Sequence, residues 1–108
     1  MVEALNRLRL DYAPLMLRYL AQQDEAGLKS AYELGRGAMR ESVGLLEVVR
    51  VHNEVFLEVL ATVRDLDEAQ RVARPASVLL IELIASFEMS QRGFMDVRLG
   101  RDQTPDET

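Results

Sequence analysis

Along nearly the whole chain, apolar residues recur at steps of three and four, and no segment reads convincingly as a strand. That spacing puts apolar side chains on one face of a helix and excludes half-buried strands, so the chain must bury helices against helices. Leu5, Leu8, Tyr12, Leu15, Met16 and Tyr19 define such a face over residues 2–22. Pro14 interrupts the pattern and would clash with the carbonyl of Leu10, which predicts a kink or a late start near Asp11. Asp24 is a good N-cap for a second helix ending near Arg40, with Leu28, Ala31, Tyr32, Gly35, Ala38 and Met39 inward. Gly35 on that inner face implies close approach of a neighbouring helix, since glycine otherwise weakens the element. A third helix, from about Leu45 to Arg64, turns Leu45, Val48, Val49, His52, Val55, Phe56, Val59 and Val63 to one side. A break at residues 65–67, with Asp67 as cap, precedes a last helix running to about Leu99. Pro75 marks either a kink in it or its true first turn, and Gly100 signals its stop. Short connections between four such segments predict an all-α fold, an antiparallel four-helix bundle.

Composition narrows the chemistry. The chain has 108 residues, 48% hydrophobic and 29% charged, which suits one globular domain with one core. It has no cysteine and a single histidine, which removes thiol chemistry, disulfides and the usual zinc sites. The net charge of −5 owes −2 to the last eight residues, Asp102, Asp106 and Glu107 against Arg101, and argues against a nucleic-acid binder. The amino terminus lacks the pattern of a signal peptide, and the apolar run 78–85 is far too short to span a membrane. Cytoplasmic location is the expectation. Residues 1–99 are expected to form one helical domain, with 100–108 as a tail or the start of a linker.

Few residues invite a catalytic reading. His52 sits mid-face on the third helix, where a core imidazole bonded to a tyrosine hydroxyl or a carboxylate outweighs a proton carrier or ligand. Glu82 and Glu88 lie about 240° apart on a helix and do not converge as an acid–base pair. Gly35-Arg36-Gly37 lacks the preceding strand a phosphate loop needs, and no Glu-x-x-His pair supports a di-metal bundle site. No catalytic residue, metal or cofactor is therefore expected.

The informative feature is surplus apolar surface. Ala76, Leu79, Leu80, Leu83, Phe87 and Phe94 form the core face of the last helix, yet Val78, Ile81, Ala85 and Met89 make a second strip roughly opposite. Leu10, Pro14, Leu17 and Ala21 are likewise displaced from the core stripe of the first helix. Isolated exposed apolar residues are ordinary, but two stripes on two helices point to an interface. Lys29, Glu33, Arg36 and Arg40 face outward on the second helix, either as a solvated face or as a polar rim. Candidate dimer or partner residues are thus Leu10, Leu17, Lys29, Glu33, Val78, Ile81, Ala85 and Met89.

The stretch Tyr12-Ala13-Pro14-Leu15-Met16-Leu17-Arg18-Tyr19-Leu20 resembles the opening of the amino-terminal domain of RsbU-type phosphoserine phosphatases, a KaiA/RsbU-like helical domain. So does the segment from Leu28 to Arg36, and Val51-His52, Phe87-Glu88-Met89 and Arg92-Gly93-Phe94 match later family features. The resemblance covers roughly residues 5–97. It implies a helical homodimer that binds an RsbT-like switch kinase protein and thereby activates a metal-dependent phosphatase. That enzyme acts in a partner-switching stress response releasing an alternative sigma factor. The acidic metal cluster of the phosphatase is not in these 108 residues, so this chain is expected to be a regulatory module and not the enzyme. The competing reading is a small-ligand sensor with a pocket inside the bundle near His52, Tyr12 and Tyr32. A large internal cavity would favour the sensor, and a filled core with bare outer patches would favour the interaction module.

Overall fold

The computed structural model describes the backbone of residues 2–107 and the side chains of residues 3–89. It contains four helices, α1 (Val2–Gln22), α2 (Glu25–Arg40), α3 (Leu45–Leu60) and α4 (Leu66–Glu107), and no strand among the described residues. Each of α1 and α4 packs against both α2 and α3, whereas α2 and α3, although consecutive in the chain, touch least. With 42 residues, α4 is about 63 Å long at 1.5 Å per residue, which accounts for the 60 Å longest dimension of the molecule.

Local sequence explains most of the boundaries. Asp24 is extended (φ −102°, ψ 166°) and its Oδ1 accepts the Gly27 amide at 3.0 Å, so it caps α2 as the sequence predicts. Asp24→Ala should cost about 1 kcal/mol, read as a lower urea midpoint with an unchanged slope. At α3 the device is half a capping box. Gly44 offers no side chain, but Glu47 Oε1 accepts the Gly44 amide at 3.2 Å.

Four expectations need correction. First, α1 does not start late near Asp11: Pro14 lies inside a helix running from Val2. Pro14 and Leu10 are both on the exposed face, so water can satisfy the carbonyl that loses its partner. Second, α3 ends at Leu60 and not at Arg64. There, Thr62 and Val63 donate their amides to the carbonyls of Val59 and Leu60, three residues back, and the Thr62 hydroxyl donates to Val59 O at 2.7 Å. Third, α4 is capped by Asp65, whose Oδ1 accepts the Glu68 amide at 2.8 Å, and Asp67 falls in the first turn. Fourth, α4 is continuous through Pro75 and past Gly100 to Glu107, so Gly100 is not its stop. Proline at position 75 is buried and removes one ladder bond, which a long helix packed on the other three tolerates.

The core follows the predicted faces. Tyr12, Met16, Leu79, Leu83, Val48 and Ser86 are almost wholly buried, joined by Leu8, Ala31, Val51, Val55 and Phe87. Val51 and Ser86 were not expected inside, and Leu45, at the solvent end of α3, is more exposed than its helical phase suggests. Phe94 lies outside the residues whose side chains are described. Where α2 crosses α4, a Cβ on Gly35 would stand 1.9 Å from Ser86 Oγ and 3.3 Å from the Leu83 carbonyl oxygen. The glycine marks a close helix crossing, as its place in the sequence implied.

Candidate functional site

His52 is not poised for chemistry. Its Nδ1 lies 2.6 Å from the Tyr12 hydroxyl, both residues are buried, and the ring of Phe56 stacks against it with centroids 6.3 Å apart. Burial pushes the imidazole below its ordinary value and the tyrosine above its own, so both are neutral near pH 7. The tyrosine hydroxyl that the sequence reading offered as partner is the one present. No buried side-chain nitrogen or oxygen among the described residues lacks a hydrogen bond, and no group of three or more His, Asp or Glu there could hold a metal.

The surplus apolar surface is real but unevenly distributed. Leu10 (71% exposed), Leu17 (59%), Ile81 (63%) and Met89 (52%) stand in solvent. On α1, Leu10, Pro14, Leu17 and Ala21 are all exposed and form an unbroken stripe at steps of four, three and four. Ion pairs fix its edges: Arg7 with Glu41 and Arg18 with Asp24 towards α2, and Arg9 with Glu54 towards α3. On α4, Val78 packs against the core and leaves the free strip, and Ala85 is half-buried. Of the expected strip, Ile81 and Met89 therefore stay in solvent, with Ile84 exposed beside Ile81.

The two stripes do not meet. Since α1 and α4 both pack on α2 and α3 and face each other across the core, their outward faces look in opposite directions. Lys29 and Glu33, exposed on α2, belong to neither stripe. They line a cleft of about 500 Å³ between α1 and α2, together with Ala4, Leu8, Asp11 and Gly37. Sequence alone could not find this cleft, because its walls come from two separate stretches of chain, residues 4–11 and 29–41. A second cleft of about 400 Å³ involves Gln23, Arg71 and Arg74 near the start of α4. Neither is lined by Tyr12, Tyr32 or His52.

A family model described as the N-terminal domain of the phosphoserine phosphatase RsbU matches residues 10–90. The chain belongs to the RsbU N-terminal domain family. Searches of curated proteins and of solved structures gave no significant match. The matched region takes in the α1 stripe, all of α2 and α3, and α4 through Ser90, so both apolar stripes and the α2 side of the cleft fall within it, while Ala4, Arg7 and Leu8 of the cleft precede it. A domain of this family is the N-terminal regulatory part of such a phosphatase. No described helix of this one is long and apolar enough to cross a membrane.

Proposed function

We propose that this RsbU N-terminal domain is a cytoplasmic, homodimeric docking module that recruits an RsbT-like switch kinase protein. Its partner's arrival would activate a phosphatase in a partner-switching stress response upstream of an alternative sigma factor. The observation that carries this reading is the family match combined with a bare apolar stripe on α1 and an open cleft between α1 and α2. A dimer needs one such surface and a second protein needs another. The helices are read as an antiparallel bundle, which the pairing of Arg7 with Glu41 and Arg18 with Asp24 supports for α1 and α2. Leu10 and Leu17 are assigned to self-association, the cleft edge at Lys29 and Glu33 to the switch protein, and α4 beyond the bundle to the linker.

The small-ligand sensor is disfavoured by the packing of Tyr12 and His52, whose contact is filled by protein. The test is light scattering on the wild-type chain and on Leu10→Asp, Leu17→Asp and Ile81→Asp. Wild type should run at twice its 12.2 kDa mass. Either α1 variant should run as a folded monomer, because an unpaired charge is costly to bury at an interface. Ile81→Asp should stay dimeric. A wild-type chain of single mass at micromolar concentration overturns the dimer, and a monomeric Ile81→Asp moves the interface to α4.

A further inference from the structure

Three glycines stand in α2, and two of them have a reason inside the chain. A Cβ at Gly27 would lie 2.7 Å from Tyr19 Cδ1, and one at Gly35 would lie 1.9 Å from Ser86 Oγ. Gly37 has no such reason. A Cβ there would meet only the tip of the Arg40 side chain, 4.0 Å away, and its backbone φ is not positive. Neither packing nor conformation within the chain asks for glycine, and mid-helix glycine weakens a helix relative to alanine.

Gly37 is among the residues that line the α1–α2 cleft, so any side chain added there would stand beside that space. Gly37, Ala4 and Ala38 are small residues along its wall, and the space amounts to about 500 Å³. Its rim carries five charges, of which Arg7 and Glu41 neutralise each other. The remaining three are Lys29 against Asp11 and Glu33, so the cleft keeps a net negative edge. Resting on the reading of this domain as a docking module for a switch kinase protein, we propose that Gly37 is kept bare to admit an apolar anchor side chain from a helix of that partner. A basic residue beside the anchor would meet Asp11 and Glu33. Gly37 is then a specificity position whose occupancy by any larger side chain trades recognition for stability.

The experiment measures two things on Gly37→Ala and Gly37→Leu: thermal melting, and calorimetric titration with the switch kinase protein encoded in the same genome. Gly37→Ala should melt about 4–8 °C higher and bind about tenfold more weakly. Gly37→Leu should keep its helical circular dichroism and lose binding by about a hundredfold or more. If it does not fold, the alanine variant decides alone. Wild-type affinity in the folded variants overturns the inference and leaves the proposed function standing. Failure of the wild-type chain to bind the switch protein sinks the proposed function and this inference with it. Loss of self-association in the folded Gly37 variants, with switch-protein binding intact, would give the cleft to a second copy and overturn the assignment.

Discussion

Gly35→Val is expected to destabilise the domain by about 3 kcal/mol or more, enough to leave a marginal fold largely unfolded. The first atom of any side chain at position 35 collides with Ser86 Oγ, which sits 1.9 Å from where Cβ would be. Ser86 can yield only by giving up its 2.7 Å bond to Leu83 O, and it would then be a buried hydroxyl with no partner. Ser86 Cβ and the Leu83 carbonyl, at 3.1 and 3.3 Å, limit what rotation can relieve, so the added methyls of valine must push α2 from α4. Gly35→Ala should be milder, since its better helix propensity returns about 1 kcal/mol. Removing Oγ should rescue it: Gly35→Ala with Ser86→Ala is expected to be more stable than Gly35→Ala alone. Urea unfolding of the four species closes a double-mutant cycle. A Gly35→Val chain with the wild-type midpoint would mean that α2 and α4 do not cross here.

The second large effect belongs to the pair at the centre of the bundle. Tyr12 is wholly buried, so Tyr12→Ala should cost about 3–5 kcal/mol through lost packing. Tyr12→Phe keeps the ring and strands Nδ1 of His52, for about 1–3 kcal/mol. The pair also sets an acid dependence. Burial lowers the folded-state value of His52 below its ordinary 6.5, so the unfolded chain binds a proton first as pH falls. Stability is full above about pH 6.5 and is lost below it until the folded histidine titrates too, at no more than about 1.4 kcal/mol per pH unit. His52→Leu should flatten this loss between pH 7 and pH 5.5 while leaving switch-protein binding by the folded fraction unchanged. A His52→Leu chain with an unaltered pH profile would show that the imidazole does not govern it, and lost binding at constant melting temperature would return His52 to a functional role.

What was legible in the sequence was whatever is encoded by neighbours along the chain. Asp24 declares its helix because its own side chain closes the first turn, and Gly35 declares a crossing because an inward glycine has few other uses. The signals that misled were local ones overridden by context. Pro14 does not break α1 because its face is in water, and Gly100 does not stop α4 although glycine there usually would. Val63 continues the apolar period of α3, but the chain has already turned at Ala61 and Thr62. Asp65 and Asp67 are equally plausible caps on paper, and only the bond to the Glu68 amide separates them. Of the candidate surface residues, Leu10, Leu17, Ile81 and Met89 stand free as their helical phase predicts, whereas Val78, at a phase close to that of Met89, packs against the core. The cleft beside Lys29 and Glu33 was invisible, because only the packing of α1 on α2 creates it.

Because α1 and α4 confront each other across the core, a protein seated on the outer side of one does not obstruct access to the other. Occupants of the two faces compete for no atom. Influence between them can pass through α2 and α3, on which both helices pack, or through the side chains that both helices bury, Tyr12 and Met16 on one and Leu79 and Leu83 on the other. Such coupling is reciprocal: if a ligand on α1 tightens binding at α4 by some factor, the ligand on α4 tightens binding at α1 by the same factor. Substitutions among those four residues would then alter the linkage without touching either ligand, and a rigid core would reduce it to independence.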